Sequence, residues 1–237
     1  MKKIDAKNID YRQLNDIIKE NSEITLVNCE GQRFIGSGTE NKKIIVYGVA
    51  GNALGAYNCG SFIETFSNAQ DAVGDTMNKG KIVVHGSVGD SLGYAMRGGE
   101  IFVEQNAGYR AGIHIKEYGD IKPVIVIGGK AGCFLGEYQA GGMIIVLNLN
   151  GDKIVGDYCG TGMHGGKMFL RTSTPPTDLP SQVKVEKATD KDLKEIEKYV
   201  AEYCEYFGRS VKEILNSDFY VLTPNSANPY RQLYVQN

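Results

Sequence analysis

Short apolar segments recur along this chain at a nearly constant spacing. Lining them up gives a column of Ile44, Ile63, Ile82, Ile101, Ile125, Ile144 and Met168. Two residues further on runs a second column of Val46, Thr65, Val84, Val103, Ile127, Val146 and Leu170. Successive members are 19, 19, 19, 24, 19 and 24 residues apart, so the two long intervals read as one 19-residue coil plus a five-residue insertion. Alternate residues of a strand face the same side, which lets both columns point into one interior. A period of this length marks a solenoid. β-Branched residues sit at fixed offsets and no helical period runs inside the repeat, so the pattern predicts a β-helix and not a leucine-rich repeat. The expected fold class is mainly β: a single-stranded right-handed parallel β-helix of about 7–8 coils, with short helices at both ends.

Between the apolar segments lies a glycine pattern, GxxGxxxGxxxxG, in three copies. They are Gly48-Val-Ala-Gly51-Asn-Ala-Leu-Gly55-Ala-Tyr-Asn-Cys-Gly60, then the stretch with Gly86, Gly89, Gly93 and Gly98, then the stretch with Gly129, Gly132, Gly136 and Gly141. A dinucleotide fingerprint occurs once, between a strand and a helix; three evenly placed copies point instead to turns of a repeat. Glycine suits such turns because it tolerates positive φ and lets the next coil approach. The intervening coils carry Asn68 to Gly74, Asn106 to Gly112 and Asn150 to Gly156. Asparagine there is expected to take left-handed turns, and the repeating unit is expected to be a pair of coils.

The ends differ in character. Asp10 to Glu20 predicts a helix with Asp10 as N-cap and Tyr11, Leu14, Ile17 and Ile18 on one face, suited to covering the first open coil. Ile24-Thr-Leu26-Val reads as an incomplete first coil. Residues 172–178, with Pro175-Pro176, read as a linker. A helix then starts at Thr189-Asp-Lys-Asp192 and stops at Gly208, and Ser210-Val-Lys-Glu213 caps a second short helix ending near Leu215. Pro224 and Pro229 argue against regular structure in the tail, whose Phe219, Tyr220, Tyr230 and Tyr234 suggest an arm laid on a surface. Three segments follow: 1–23 as an N-terminal cap, 24–171 as the β-helix, and 172–237 as linker, helices and extended tail.

Composition narrows the function classes. The net charge of -2 lacks the basic stripe of a nucleic-acid groove. The apolar runs are too short to span a bilayer, and no apolar stretch follows Met1-Lys-Lys, so no secretory signal is expected. Five cysteines without a CxxC suggest reduced, buried thiols in the cytoplasm. Thr161 to Met168 approaches a phosphate-binding loop, but Thr161 replaces its first glycine and Met168 its Mg-binding hydroxyl. His85, His114 and His164 lack acidic or thiol neighbours at metal-ligand spacing. Cys59, Cys133 and Cys159 lie by glycine turns and read as packing residues. The carboxylates Asp71, Asp75, Asp90, Glu100, Glu104, Glu137, Asp152 and Asp157 are dispersed among turns, whereas polysaccharide cleavage needs them clustered. No catalytic, cofactor-binding or metal-ligating residue is assigned; the residues singled out are the turn glycines Gly48, Gly51, Gly55, Gly60, Gly86, Gly89, Gly93, Gly98, Gly129, Gly132, Gly136 and Gly141.

Three stretches carry a family resemblance: Gly51-Asn-Ala-Leu-Gly55-Ala-Tyr, Gly136-Glu-Tyr-Gln-Ala-Gly-Gly142-Met-Ile-Ile-Val-Leu and Gly162-Met-His-Gly-Gly166. From about Ile44 to Leu215 the chain resembles the GXGXG domain, the carboxy-terminal β-helix of the glutamate synthase large subunit. The repeats are shared with one of the subunits of formylmethanofuran dehydrogenase. The tail around Asp192-Leu193 and Phe207-Gly-Arg-Ser-Val-Lys-Glu-Ile-Leu215 tilts the resemblance towards glutamate synthase. It implies a non-catalytic subunit of a split glutamate synthase, docking glutaminase and FMN-containing subunits, with FMN and iron–sulfur clusters in those partners. The alternatives are the equivalent scaffold in a formylmethanofuran dehydrogenase and an independent carbohydrate-active β-helix enzyme. Self-association is left open.

Overall fold

The computed structural model describes residues 2–151 and 153–225. Nine strands stack in parallel, one per coil: β1 (Lys2–Asp5), β2 (Glu23–Glu30), β3 (Lys43–Val49), β4 (Cys59–Thr65), β5 (Lys79–Val84), β6 (Glu100–Val103), β7 (Val124–Ile127), β8 (Ala140–Val146) and β9 (Gly165–Arg171). The chain is a parallel β-solenoid of about seven turns. Its register is the one read from the apolar columns: Ile44 pairs with Ile63, Ile63 with Ile82, Ile82 with Ile101, and so on to Met168. Every member of both columns is fully buried. Each buried Ile or Val contributes about 1.5–3 kcal/mol of transfer free energy, and a one-residue slip would turn the whole column outwards.

Three more interior columns go beyond those read from the strands. One is a ladder of bridges joining Ala50, Ala69, Val88, Ala107, Ala131 and Val155. Another runs through Ile35, Leu54, Val73, Leu92, Ala111, Leu135 and Cys159, all buried. The last holds Met77, Met96 and Met163 together with buried Asn58 and Gln139. The two amides serve the corner that follows them: Asn58 Oδ1 accepts from Ser61 N at 2.8 Å, and Gln139 Nε2 donates to Gly141 O at 3.1 Å.

Several expectations need correction. Ile24–Val27 belongs to the complete strand β2, which pairs with both β1 and β3; a bulge between Leu26 and Cys29 accompanies the odd 20-residue interval. The bridges align Val155 with Ala69 and Ala107, which puts Gly160, not Gly156, in the column of Gly74 and Gly112. The unit is therefore one coil, not a pair. Asn68 and Asn106 are not left-handed; their Oδ1 atoms accept from Ser87 N and Lys130 N of the next coil, at 2.8 and 3.0 Å. The tail is regular as far as it is described. β11 (Phe219–Pro224) runs antiparallel to β9, and β10 (Val183–Lys187), unforeseen in the sequence, runs antiparallel to β11. Pro224 is tolerated because it ends its strand. Tyr230 and Tyr234 lie outside the described residues.

One helix closes an end of the solenoid and another covers its flank. α1 (Tyr11–Lys19) is capped by Asp10, which accepts from Arg12 N at 2.9 Å, and it buries Leu14 and Ile18 against the first coils. α2 (Asp190–Phe207) begins at a Thr189–Asp192 capping box and ends at left-handed Gly208; α3 (Val211–Leu215) follows. α2 covers the flank of the sheet rather than its end. Ile196, Val200, Tyr203 and Phe207 pack on an outward column of Val83, Phe102, Val126, Ile145 and Phe169. The other end is closed by β10, whose Val183 and Val185 pack against the interior. Both edge strands, β1 and β10, carry lysines that discourage further strand pairing.

Candidate docking surface

On one face the seven coils that follow β2 to β8 make the same six-residue turn, at 33–38, 52–57, 71–76, 90–95, 109–114, 133–138 and 157–162. Its second, fourth and sixth residues all have positive φ; in one coil these are Ala53 (64°), Gly55 (64°) and Tyr57 (56°). The hydrogen bonds account for the alternation. Ala53 N donates to Asp71 O of the next coil at 2.8 Å and Tyr57 N to Asp75 O at 2.7 Å, while Gly55 N donates back to Ile35 O of the preceding coil at 2.8 Å. Each of the five inner turns thus bonds the coils on both sides of it, which satisfies these backbone groups.

The fourth position is glycine in all seven coils because it faces the interior. A Cβ on Gly93 would lie 2.5 Å from Ile125 Cδ1. The second and sixth positions face outwards and accept side chains at a backbone cost of about 1–2 kcal/mol each. Six of the fourteen are aromatic, Phe34, Tyr57, His114, Phe134, Tyr138 and Tyr158; the others are Ala53, Ala72, Ala95, Ser91, Thr76, Arg110, Gly38 and Gly162. Rings in these columns stack from coil to coil, Phe134 on Tyr158 at 4.8 Å and His114 on Tyr138 at 5.0 Å. Tyr57 is 56% exposed and Tyr158 58%. The Arg110 guanidinium lies 4.7 Å from the Phe134 ring centre and its Nε 3.5 Å from Glu137.

The turn glycines divide into two groups. Gly48, Gly55, Gly60, Gly93 and Gly136 have positive φ. Gly51, Gly86, Gly89, Gly98, Gly129, Gly132 and Gly141 do not; a Cβ on any of them would run into the preceding coil. Thr161 to Met168 leads into β9 and not into a helix, so it offers no helix N-terminus to a phosphate.

The structure does not gather the predicted polar residues into one site. His85 Nε2 lies 2.9 Å from Glu64 Oε1, its ring stacked on Phe66 and edge-on to Phe207. His114 belongs to the ring stack, and His164 Nδ1 contacts Gly162 O at 2.9 Å. Among the described residues no His, Cys, Asp and Glu group is arranged to hold a metal. Burial pushes the Cys159 thiol up to about 12, and burial followed by nearby Asp5 pushes Cys29 up to about 11; both stay protonated at neutral pH. Cys133 is half-buried and Cys59 exposed.

Of the carboxylates, Asp71 and Asp90 form a ladder: Asn52 Oδ1 accepts from Asp71 N at 3.3 Å, Asp71 Oδ1 from Asp90 N at 2.9 Å, and Asp90 Oδ1 from Tyr109 N at 2.8 Å. Asp75 accepts from the Thr76 hydroxyl. Glu100 pairs with Lys81 at 3.0 Å and Asp157 with Lys153 at 3.0 Å. The backbone carbonyl of Glu104 accepts from Tyr203, and Asp152 lies outside the described residues. A cleft of about 480 Å³ between the last turn and the Pro175-Pro176 linker is lined by Lys153, Asp157, Thr172 and Asp178. The outward turn positions are what sequence reasoning missed. Their signal is an aromatic two residues before or after the invariant glycine.

The model of the GXGXG motif matches residues 21–225. An uncharacterized protein of Methanocaldococcus jannaschii is 42% identical over 248 residues, covering 98% of this chain and 95% of the relative. Among solved structures, a chain of the formyltransferase/hydrolase complex (FhcABCD) of Methylorubrum extorquens, determined with methylofuran, superposes with a TM-score of 0.62 at 17% identity. It covers 92% of this chain and 88% of that one. Among the described residues no helix is long and apolar enough to cross a membrane.

Proposed function

The chain belongs to the GXGXG motif family, and from that premise we propose that it is an assembly subunit, holding other subunits of a multi-subunit enzyme in place without turning over substrate itself. The observation that carries this reading is the turn face. Six of its fourteen outward left-handed positions carry aromatic rings, among them the exposed Phe34, Tyr57, His114 and Tyr158, where glycine would be free of strain. A cost repeated along a surface is retained where that surface makes contacts.

Two partner sets compete. The formyl-handling assembly is the better supported, because the solved neighbour is a chain of a formyltransferase/hydrolase complex and nearly its whole length matches. Glutaminase and FMN-containing glutamate synthase subunits form the second reading, favoured by the Phe207–Leu215 resemblance. The helical tail does not separate the two, since the family match runs through residue 225 and so takes in α2, α3 and β11. In either reading the catalytic cofactors, FMN and iron–sulfur clusters in the second, sit in partner subunits, and the cytoplasm is the compartment.

The test is affinity isolation of the tagged full chain from its native source, with the co-purifying subunits identified by mass spectrometry. Formyltransferase and hydrolase subunits in fixed ratio are expected. Glutaminase and flavoprotein subunits would select the second reading. Recovery of the chain by itself, or glutamine hydrolysis by the pure chain, would overturn the assembly reading.

A further inference from the structure

We propose that the turn face docks a cationic protein surface, whose arginine and lysine side chains lie across Asp71, Asp75 and Asp90 and over the neighbouring tyrosines. The inference rests on the assembly reading and names the chemistry of the partner.

Charge points the same way as strain. The seven turns carry five carboxylates against two arginines. Arg110 is already held by Glu137. Among the described residues Asp71, Asp75 and Asp90 have no cationic partner. Asp71 and Asp90 occupy the same position on successive coils, which are about 4.8 Å apart, so their like charges repel and one guanidinium fork can reach both. The inter-coil hydrogen bonds occupy Oδ1 of each and leave Oδ2 for an incoming donor.

The rings complete the site. Tyr57 donates its backbone N–H to Asp75 O, and Tyr94, one coil beyond Asp75, is 41% exposed. Tyrosine faces beside carboxylates attract cations. The chain contains its own example, in which Arg110 covers Phe134 while meeting Glu137. The end coils place Gly38 and Gly162 in the column of Tyr57, so glycine is sterically allowed there, and Tyr57 retains a ring against the backbone preference. A nucleic acid would bring phosphates onto carboxylates. A second copy docking by the same patch would bring carboxylates onto carboxylates, because a two-fold interface presents one patch to itself.

The test compares the full wild-type chain with Asp71→Asn/Asp75→Asn/Asp90→Asn, which keeps the Oδ1 acceptors and removes the charge. Tyr57→Gly removes a ring and relieves its backbone. Glu197→Gln/Glu205→Gln/Glu213→Gln removes three exposed charges elsewhere. Each is used in the affinity isolation above and in fluorescence anisotropy with a deca-arginine peptide at low and moderate salt; thermal melts check folding. The triple Asn variant is expected to bind peptide and native partner about tenfold or more weakly. Tyr57→Gly is expected to lose partner while melting no lower than wild type, and the Gln control to behave as wild type. Equal retention of partner by wild type and triple Asn variant overturns the cationic-surface inference and leaves the assembly reading standing. A wild type that recovers no partner overturns both. Self-association lost in the triple Asn variant assigns the face to a second copy and overturns the inference.

Discussion

Tyr203 of α2 reaches through a gap that exists only because residue 128 is glycine. Its hydroxyl donates to Glu104 O at 2.9 Å, and a Cβ on Gly128 would overlap both that hydroxyl and the Glu104 carbonyl. The pair pins the helix to the sheet. Tyr203→Phe is expected to cost about 1 kcal/mol, the net value of one hydrogen bond. Gly128→Ala is expected to cost more, because backbone must shift. The double variant should fall short of the sum, since both changes act on one contact. Denaturant melts of the four proteins measure this, and simple additivity would count against the contact.

Gly93→Ala combines a positive φ with a collision against Ile125, for an expected loss of about 2–4 kcal/mol. Ala95→Gly, two residues on and also at positive φ, has no interior neighbour to spare and should be neutral or slightly stabilising. Equal effects in urea melts would contradict the inward and outward assignment of the turn.

Thr65 stands in the interior column between Val46 and Val84, fully buried, and its hydroxyl has no hydrogen-bond partner. Thr65→Val keeps the shape and removes the desolvated hydroxyl. It should stabilise by about 1 kcal/mol and raise the melting temperature by about 2–4 °C. A lower melting temperature would indicate that the hydroxyl is satisfied in solution.

Alkaline stability follows from the buried thiols. Folding raises Cys159 to about 12 and Cys29 to about 11 from an ordinary 9.0, in both cases mainly by burial; burial also raises the Tyr203 phenol. An acid group whose folded pKa is raised contributes its stability below the unfolded value and loses it as pH rises through the folded one. Stability should hold to about pH 9 and then fall by about 1.4 kcal/mol per pH unit per thiol, up to the folded values. Melts from pH 7 to 11 should show a shallower alkaline fall for Cys29→Ala than for wild type. Parallel curves would mean that the thiol ionises without unfolding.

A chain ending at Thr172 loses β10, α2, α3 and β11. That uncovers the open end of the solenoid and the outward column of Phe102, Val126, Ile145 and Phe169. Aggregation on size-exclusion chromatography is the expected outcome. A soluble monomer with a cooperative melt would show that the flank needs no cover.

Much of the architecture is legible in the order of residues. The Ile44 and Val46 columns are local repeats, and a strand's two-residue period converts such a repeat directly into register, so parallel stacking, coil length and both insertions follow. Helix caps are equally local, which is why Asp10, Thr189, Gly208 and Ser210 act where their spacing places them. The outward column of Val83, Phe102 and Val126 is present in the sequence too, as strands apolar on both faces, but its significance depends on what covers it.

The repeat therefore needs nothing but the sequence: period, interior and most turn chemistry are set by residues within one coil of each other. Whatever joins distant segments waits for the folded chain. Packing sets α2 on the flank instead of the end and turns the proline-bearing tail into two closing strands. It also brings Asp71 and Asp90 onto one edge while Lys81 holds Glu100 and Arg110 holds Glu137. A six-residue turn alternating left-handed residues sends positions two and six outwards and position four inwards. Residues 19 apart in the chain thereby become neighbours on one surface, and no local pattern of polarity records which of them will face a partner.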